Sequence, residues 1–257
     1  MEAVFRALIH GESGAGKSRL ADTAPGPRLI VDLEGRAQYL PSGPKVYWDP
    51  KAGGPPAADG TWDTCIVFCA DFETLNLVYQ WLRSGQHPFV SVIIDSLMEA
   101  QKRCIDAVVP GVAQLDQQNW GELLRRLEKL VRSYRDLTLL TATNAVRCVI
   151  FTAGSRHDET VGWEPMLQGQ LADLVPYYMD VVGYLYKQPM PDGTFQRSLL
   201  VDKTPGFVAK DNTSMLVAAY GPTIAVPDGD VPVITQLMQL LSTTMAGGVP
   251  VGEGATA

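Results

Sequence analysis

Short apolar runs alternate with longer amphipathic stretches over most of the chain. Runs at residues 3–10, 28–34, 89–95 and 146–154 have the length and the β-branched content of buried strands, and 45–48 and 64–69 add two shorter candidates. The intervening stretches 71–85, 96–109 and 119–136 carry apolar residues at helical spacing. The first of these begins at a capping Asp71 and stops at Gly85.

The order of these elements predicts the fold class. Strands that alternate with helices indicate an α/β fold with a mostly parallel, doubly wound sheet flanked by helices. Residues 177–187 and 197–203 resemble a late antiparallel pair, because the sequence between them contains the turn signal "PDG". A last helix is expected at 230–245. We therefore predict one domain over 1–245 and a flexible C-terminal tail over 246–257, which is small and polar.

Composition narrows the class of protein without naming a function. The 257 residues are 46% hydrophobic and 19% charged, as in an ordinary globular protein. The four cysteines form no CxxC pair, so we expect buried thiols in a reducing cytoplasm. No signal peptide and no membrane-spanning run is expected. The net charge of −7 argues against a uniformly phosphate-seeking surface, although a local basic groove is sufficient to bind nucleic acid.

The stretch "GESGAGKS" carries the most specific chemical signal. It matches the P-loop pattern G-x-x-x-x-G-K-[ST], with a predicted strand before it and a predicted helix after it. Backbone N–H groups of such a loop wrap phosphate oxygens at a helix N-terminus. Lys17 is expected to reach the β- and γ-phosphates of ATP, and the Ser18 hydroxyl to bind Mg²⁺. The predicted nucleotide-binding residues are Gly11, Glu12, Ser13, Gly14, Ala15, Gly16, Lys17, Ser18 and Arg19.

Two acidic residues complete the predicted site. Asp95 ends the strand "SVIID" at the same sheet edge and is expected to hold the Mg²⁺ hydration shell opposite Ser18. Ser96 follows it, so no base stands beside the magnesium ligand. Strand alternation places Asp32 and Glu34 on one side of "LIVDLE", with Leu33 opposite. Glu34 lies nearer the loop and is the candidate base that activates water.

These motifs together resemble a known family. In order, "GESGAGKS", "LIVDLEG" and "SVIIDSLMEA" resemble RecA-like P-loop ATPases, in which a catalytic glutamate follows the second strand. Segments such as "VIFTAGSRHD" and "VAKDNTSML" extend the likeness over about residues 4–240 to phage proteins of the Sak single-strand-annealing and recombination group. The resemblance implies that Glu34 is the catalytic glutamate and Asp95 the magnesium aspartate.

The resemblance also implies a phosphate sensor and a residue that acts across a subunit interface. The family often has "TAH" at the sensor, whereas this chain has "TAG", so Thr152 and Ser155 both stay candidates for the sensing hydroxyl. Lys203 and Lys210 are candidates to reach a neighbour's ATP, and Lys210 matches better. Asn212 replaces the arginine that the related phage proteins usually carry.

The resemblance further implies two DNA-contacting loops, one after the magnesium strand and one after the sensor strand, which here lie at about 100–118 and 154–172. The first carries Lys102 and Arg103, and the second Arg156, His157 and Trp163, which together could bind phosphates and stack a base. Trp163 could equally pack over the core, and His157 could be structural. The basic positions of 119–136 are interpreted as a solvated helix face.

The leading interpretation is a cytoplasmic, Mg²⁺-dependent ATPase that binds single-stranded DNA and assembles into a ring or filament for recombination or annealing. For a phage protein, the location would be the bacterial host cytoplasm, and a single-strand-binding protein would be a candidate partner. One alternative is a nucleotide-gated loader or binding module with slow hydrolysis. Another is a small-molecule kinase, although no arginine-rich lid is visible in the sequence.

Overall fold

The computed structural model describes residues 3–111, 116–141, 145–229 and 231–247. Most of the predicted tail, from 248 onwards, lies outside them, so the division into domain and tail stays a prediction. The strands are β1 Phe5–Gly11, β2 Arg28–Asp32, β3 Lys45–Tyr47, β4 Thr64–Phe68, β5 Ser91–Asp95, β6 Cys148–Asp158, β7 Gly162–Pro165, β8 Val181–Pro189, β9 Phe195–Leu200, β10 Lys210–Asp211 and β11 Thr223–Val226. The helices are α1 Lys17–Ala21, α2 Phe72–Ser84, α3 Leu97–Val108, α4 Gln117–Asp136, α5 Leu171–Tyr178, α6 Met215–Tyr220 and α7 Val233–Met245.

The strands form one large sheet in the order β11-β9-β8-β1-β6-β5-β2-β4-β3. From β8 to β3 every neighbouring pair is parallel. The strands β9, β10 and β11 join by antiparallel pairing. The predicted fold class is therefore confirmed, including the late antiparallel strands.

Helices cover both faces of this sheet, and the pleat divides the apolar residues between them. On β5, Val92 and Ile94 belong to the core shared with α2, α3, α4 and α5. Ile93 between them belongs to the opposite core, shared with α1, α6 and α7. Side chains of a strand alternate between faces, so a strand buried on both sides is a continuous apolar run. All four cysteines are free and buried, as expected.

Parallel pairing brings the ends of several strands to one edge. In the register of the sheet, Asp32 pairs with Asp95, and Ile9 pairs with Thr152. The P-loop follows β1 at this edge. Ligands of open α/β sheets bind at the carboxyl ends of the strands.

The two predicted DNA loops are not loops over most of their length. Lys102 and Arg103 lie on α3, because the helix that begins at Leu97 continues to Val108. Strand β6 continues past the sheet to Asp158 and pairs with β7 in a hairpin, which α5 follows. The sequence missed α5 because Pro176 lies inside it. No helix in the described ranges has both the length and the apolar character needed to cross a membrane.

Candidate functional site

The P-loop wraps the space between β1 and α1. Gly14 and Gly16 have φ angles of 76° and 103°, a region that other residues rarely adopt. The Lys17 Nζ donates to the carbonyl oxygens of Gly11 and Glu12 at 3.0 and 2.9 Å. The Lys17 ammonium is thereby held over the concave side of the loop. The predicted strand–loop–helix context of this motif is confirmed.

Asp95 meets two hydroxyl groups at the end of β5. The Thr152 hydroxyl donates to Asp95 Oδ1, and the Ser18 hydroxyl also forms a hydrogen bond with Asp95. Asp95 and Ser18 are thus adjacent, as expected for two oxygen ligands of one cation. Within the described residues no cluster of three or more metal-binding side chains is present. One carboxylate and one hydroxyl suit Mg²⁺, which keeps several waters and takes phosphate oxygens as ligands.

Electrostatics around Asp95 also fit a cation. Burial raises the pKa of Asp95 above its usual value, and the nearby Glu34 and Asp32 carboxylates add to this, although the Thr152 and Ser18 hydrogen bonds oppose it. Burial likewise lowers the pKa of Lys17, while Asp95 and Glu34 oppose that shift. Asp32 and Asp95 are buried and Glu34 is exposed nearby, and a divalent cation at Asp95 would offset the repulsion among these carboxylates.

Glu34 is placed by a turn and not by the pleat of β2, so the predicted alternation does not extend to it. Strand β2 ends at Asp32, whose carboxylate accepts from the backbone N–H groups of Glu34, Gly35 and Ala37 at 3.1, 2.8 and 2.8 Å. This buried Asp32 fixes the turn. The Glu34 side chain then meets Ser96, whose Oγ donates to Glu34 Oε1 at 2.7 Å.

We expect Ser96→Ala to lower turnover about tenfold, which corresponds to about 1.4 kcal/mol, with little change in ATP affinity. The reason is that the Ser96 hydroxyl donates to Glu34 and so orients the candidate base. Steady-state kinetics and equilibrium ATP binding measure the two quantities. The double variant Ser96→Ala/Glu34→Gln should be no slower than Glu34→Gln alone. Additive losses would contradict a positioning role.

These groups line one cleft of 630 Å³ at the carboxyl edge of the sheet. Its lining contains two cations outside the P-loop, Arg36 and Arg103. The Arg36 guanidinium lies 3.7 Å from Glu34 Oε2, and the Arg103 Nε is buried without a hydrogen-bond partner. Arg103, predicted as a DNA contact, therefore faces this cleft, which is called the nucleotide cleft below. The lining residues are Ser13, Gly14, Gly16, Lys17, Ser18, Leu33, Glu34, Arg36, Asp95, Ser96, Met98, Glu99, Arg103, Thr152, Gly154 and Met166.

The structure separates the two sensor candidates. Thr152 lines the cleft and bonds to Asp95, whereas Ser155 lies near His10 outside the cleft. A Cβ at Gly154 would lie 2.6 Å from Met98 Sδ. A side chain at 154 would therefore require the flexible Met98 side chain to shift. Thr152 is the hydroxyl that the geometry favours.

His10 forms a buried polar link beside the P-loop. Its Nε2 lies 2.7 Å from the Val208 carbonyl oxygen and its Nδ1 lies 2.8 Å from Ser155 Oγ. Because a carbonyl oxygen only accepts, Nε2 donates and Nδ1 accepts from the Ser155 hydroxyl. Burial lowers the pKa of His10 from 6.5 to about 4, and the nearby Lys17 charge adds to this.

Stability should therefore fall as the pH drops from 6.5 towards 4. Between these pH values His10 is protonated in the unfolded chain but stays neutral in the folded chain. The free energy of unfolding therefore falls by about 3 kcal/mol in total between pH 6.5 and pH 4. Urea unfolding at several pH values measures this. His10→Gln, which does not titrate, should lose about that much less stability over the same range. Parallel profiles for the two proteins would contradict the assignment.

The other residues predicted to contact DNA already form ion pairs or ring contacts within the protein. Lys102 pairs with Glu99 at 2.6 Å and Arg156 pairs with the buried Glu164 at 2.7 Å. Trp163 stacks on Tyr184, with ring centroids 5.9 Å apart. Of the two possibilities for Trp163, base stacking and packing within the protein, the structure shows packing.

His157 meets the Trp163 ring edge-on at 5.4 Å. Lys210 lies on β10, where its Nζ donates to the Tyr177 carbonyl oxygen at 3.4 Å. Burial lowers the pKa of Lys210, and the Asp180 charge opposes that shift. Lys203 lies on the loop between β9 and β10. Neither lysine lines the nucleotide cleft.

Arg197 is a residue that the sequence did not suggest. From β9 it reaches the P-loop, where a Cβ at Gly16 would lie 3.2 Å from its Nε. Its guanidinium pairs with Asp228, and Nε is buried without a partner. The sequence "FQRSLL" gives no sign that its arginine lies against the P-loop, because 181 positions separate Arg197 from Gly16 in the chain.

Residues 4–213 match the profile of a family described as an AAA domain. The chain matches no curated protein.

Solved structures with a similar architecture are distant in sequence. They include a KaiC-like protein from Pyrococcus horikoshii OT3 (15% identity, TM-score 0.44, 87% of this chain and 90% of that chain). The flagellar accessory protein FlaH from Methanocaldococcus jannaschii matches at 12% identity and TM-score 0.46, over 88% and 85% of the two chains. An ATPase from the type III secretion system of pathogenic bacteria matches at 14% identity and TM-score 0.47 over 71% of this chain. This chain spans 52% of that ATPase.

Proposed function

We propose that this chain, which belongs to the AAA domain family, is a Mg²⁺-dependent ATPase that acts on single-stranded DNA. Its architecture is the RecA-like P-loop type, with a mostly parallel sheet between two helical layers. The observation that supports hydrolysis is the meeting of Lys17, Asp95, Glu34 and Thr152 in one cleft. These residues come from four separate segments, and each has a part in phosphoryl transfer.

In the proposed mechanism each side chain has one step. Lys17 would stabilise charge on the β- and γ-phosphate oxygens. Glu34, oriented by Ser96, would accept a proton from the attacking water as its oxygen bonds to the γ-phosphorus. The bond from that phosphorus to the bridging oxygen breaks, which leaves ADP and inorganic phosphate. Ser18 and Asp95 would hold Mg²⁺, which neutralises phosphate charge when bound. Thr152 would hold Asp95 in place.

The finer assignment to DNA recombination rests on the resemblance to phage proteins of the Sak group. The same resemblance implies a homo-oligomer in which Lys210 or Lys203 would reach a neighbour's ATP. It also implies a single-strand-binding protein as a partner. A bacterial cytoplasm would be the place of action.

A nucleotide-gated binding module is the second candidate. The ion pairs of Lys102 and Arg156 favour this candidate, because they leave fewer free cations in the segments where the resemblance to the Sak group predicts DNA contacts. Such a module would hydrolyse ATP slowly and independently of DNA.

ATPase assays with and without single-stranded DNA, across a salt series, separate the candidates. Stimulation that fades as salt rises is expected, because contacts to phosphates release counterions. Turnover that does not respond to DNA, together with no DNA binding at low salt, would overturn the recombination function and leave the binding module.

A further inference from the structure

A second large cleft lies on the outer side of the molecule, between α2 and α4. It measures 550 Å³ and shares no lining residue with the nucleotide cleft. Among the described residues, its lining contains three cations and no carboxylate, although the whole chain has a net charge of −7. The lining residues are Phe72, Asn76, Tyr79, Gln80, Arg83, Arg126, Lys129, Leu130, Ser133 and Tyr134.

Two of these cations are unpaired. Arg83 and Lys129 are exposed, and neither has an ion-pair partner among the described residues. Arg126 bonds to Glu122 through Nε at 2.7 Å, which leaves its terminal nitrogens for another acceptor. This differs from the predicted DNA contacts Lys102 and Arg156, both of which are bound to carboxylates.

The cleft suits an anion better than an apolar ligand. Asn76, Gln80 and Ser133 add polar groups to the charge. Phe72 and Tyr134 are buried, whereas the third ring of the lining, Tyr79, is partly exposed. Arg126 and Lys129 lie three positions apart on α4, so they project from neighbouring turns on one side of the helix. Spaced cations of this kind match spaced phosphates.

We propose that the α2–α4 cleft binds the phosphodiester backbone of single-stranded nucleic acid, without reading its sequence. The inference rests on the proposed function, because it names where the DNA of that function is held. It moves the main contact away from the predicted 100–118 and 154–172 segments. The basic face of α4, interpreted above as merely solvated, then has a ligand.

The test compares two double variants. Arg83→Ala/Lys129→Ala removes the unpaired cations of the cleft. Arg125→Ala/Arg132→Ala removes the same charge, but from α4 alone, whereas the cleft pair has one residue on α2 and one on α4. Arg125 and Arg132 pair with Glu122 and Glu128 and lie outside the cleft. Fluorescence anisotropy of a labelled oligo-dT is measured against both, over a salt series, with thermal unfolding as the check of folding.

The cleft variant should bind at least about tenfold more weakly at low salt. Its salt slope should fall by about 1.4, because each lost phosphate contact on a single strand removes about 0.7. The α4 control should stay within about twofold of the wild type. Turnover in the absence of DNA should be unchanged in both, because neither pair touches the nucleotide cleft.

Three results would overturn the inference. Equal losses in both variants would indicate a general charge effect, and no loss in the cleft variant while the wild type binds would place DNA elsewhere. Competition by polyglutamate that also depends on Arg83 and Lys129 would indicate an acidic protein partner. A wild type that binds no DNA at any salt would overturn the proposed function itself, which distinguishes that failure from the others.

Discussion

Glu34→Gln is expected to abolish ATP turnover while nucleotide binding survives. The substitution removes the carboxylate that accepts the proton of water, and a lost general base costs about 10²–10⁴ in rate. The amide oxygen can still accept from the Ser96 hydroxyl, which donates to Glu34 at 2.7 Å in the native protein. The turn fixed by Asp32 should persist because it uses backbone N–H groups. Phosphate-release kinetics and equilibrium binding of ATP measure the two effects.

Glu99 provides the sharpest comparison for this variant. It lines the same cleft, but pairs with Lys102 at 2.6 Å. If Glu99→Gln abolished turnover and Glu34→Gln did not, Glu99 would be the base. Native turnover in Glu34→Gln would refute the assignment directly.

Asp95→Asn should lower turnover by about 100-fold and raise the Mg²⁺ concentration required for activity. The amide keeps the size of the side chain and can still accept from Thr152, but it loses the negative charge that a divalent cation needs. A Mg²⁺ titration of turnover measures the first effect. Unchanged turnover with an unchanged Mg²⁺ dependence would exclude Asp95 from the site.

The same variant should be at least as stable as the native protein without nucleotide or Mg²⁺. Burial raises the pKa of Asp95, so at neutral pH the folded chain holds an ionised carboxylate more reluctantly than the unfolded chain does. Asparagine removes that cost. Thermal unfolding at pH 7 checks this, and a clear loss of stability would show that the carboxylate also supports the fold.

Contiguous patterns predicted much of this protein. The P-loop depends on eight adjacent residues, and its glycine conformations and strand–helix context need no distant partner. The helix α2 was predicted with its cap, because Asp71 accepts from the Thr74 N–H within one turn. The apolar runs predicted the central strands because those strands are buried on both faces.

Predictions of loops and of free basic residues failed where tertiary packing, and not the local sequence, decided the structure. The segment at 154–172 reads as a polar loop, yet β6 and β7 pair there, since Trp163 gains a buried surface against Tyr184. Helix α5 contains Pro176, a helix-breaking residue, and is held by the core below it. Lys102 and Arg103 look like free basic residues, but α3 turns one towards Glu99 and the other towards the nucleotide cleft.

The sequence alone determined the class of chemistry, because the residues proposed to bind phosphate and the two candidate acids lie in short ordered motifs. Only the tertiary structure decided how those residues work together. The hydroxyl of Ser96 reaches Glu34 across 62 positions, and Thr152 reaches Asp95 across 57. Sheet register brings Thr152 to Asp95, and the turn that Asp32 fixes at the paired end of β2 brings Glu34 to Ser96. Helix packing creates the α2–α4 cleft from Arg83 and Lys129. Neither register nor packing can be read along a single strand or helix, since each depends on which surfaces the whole chain buries together.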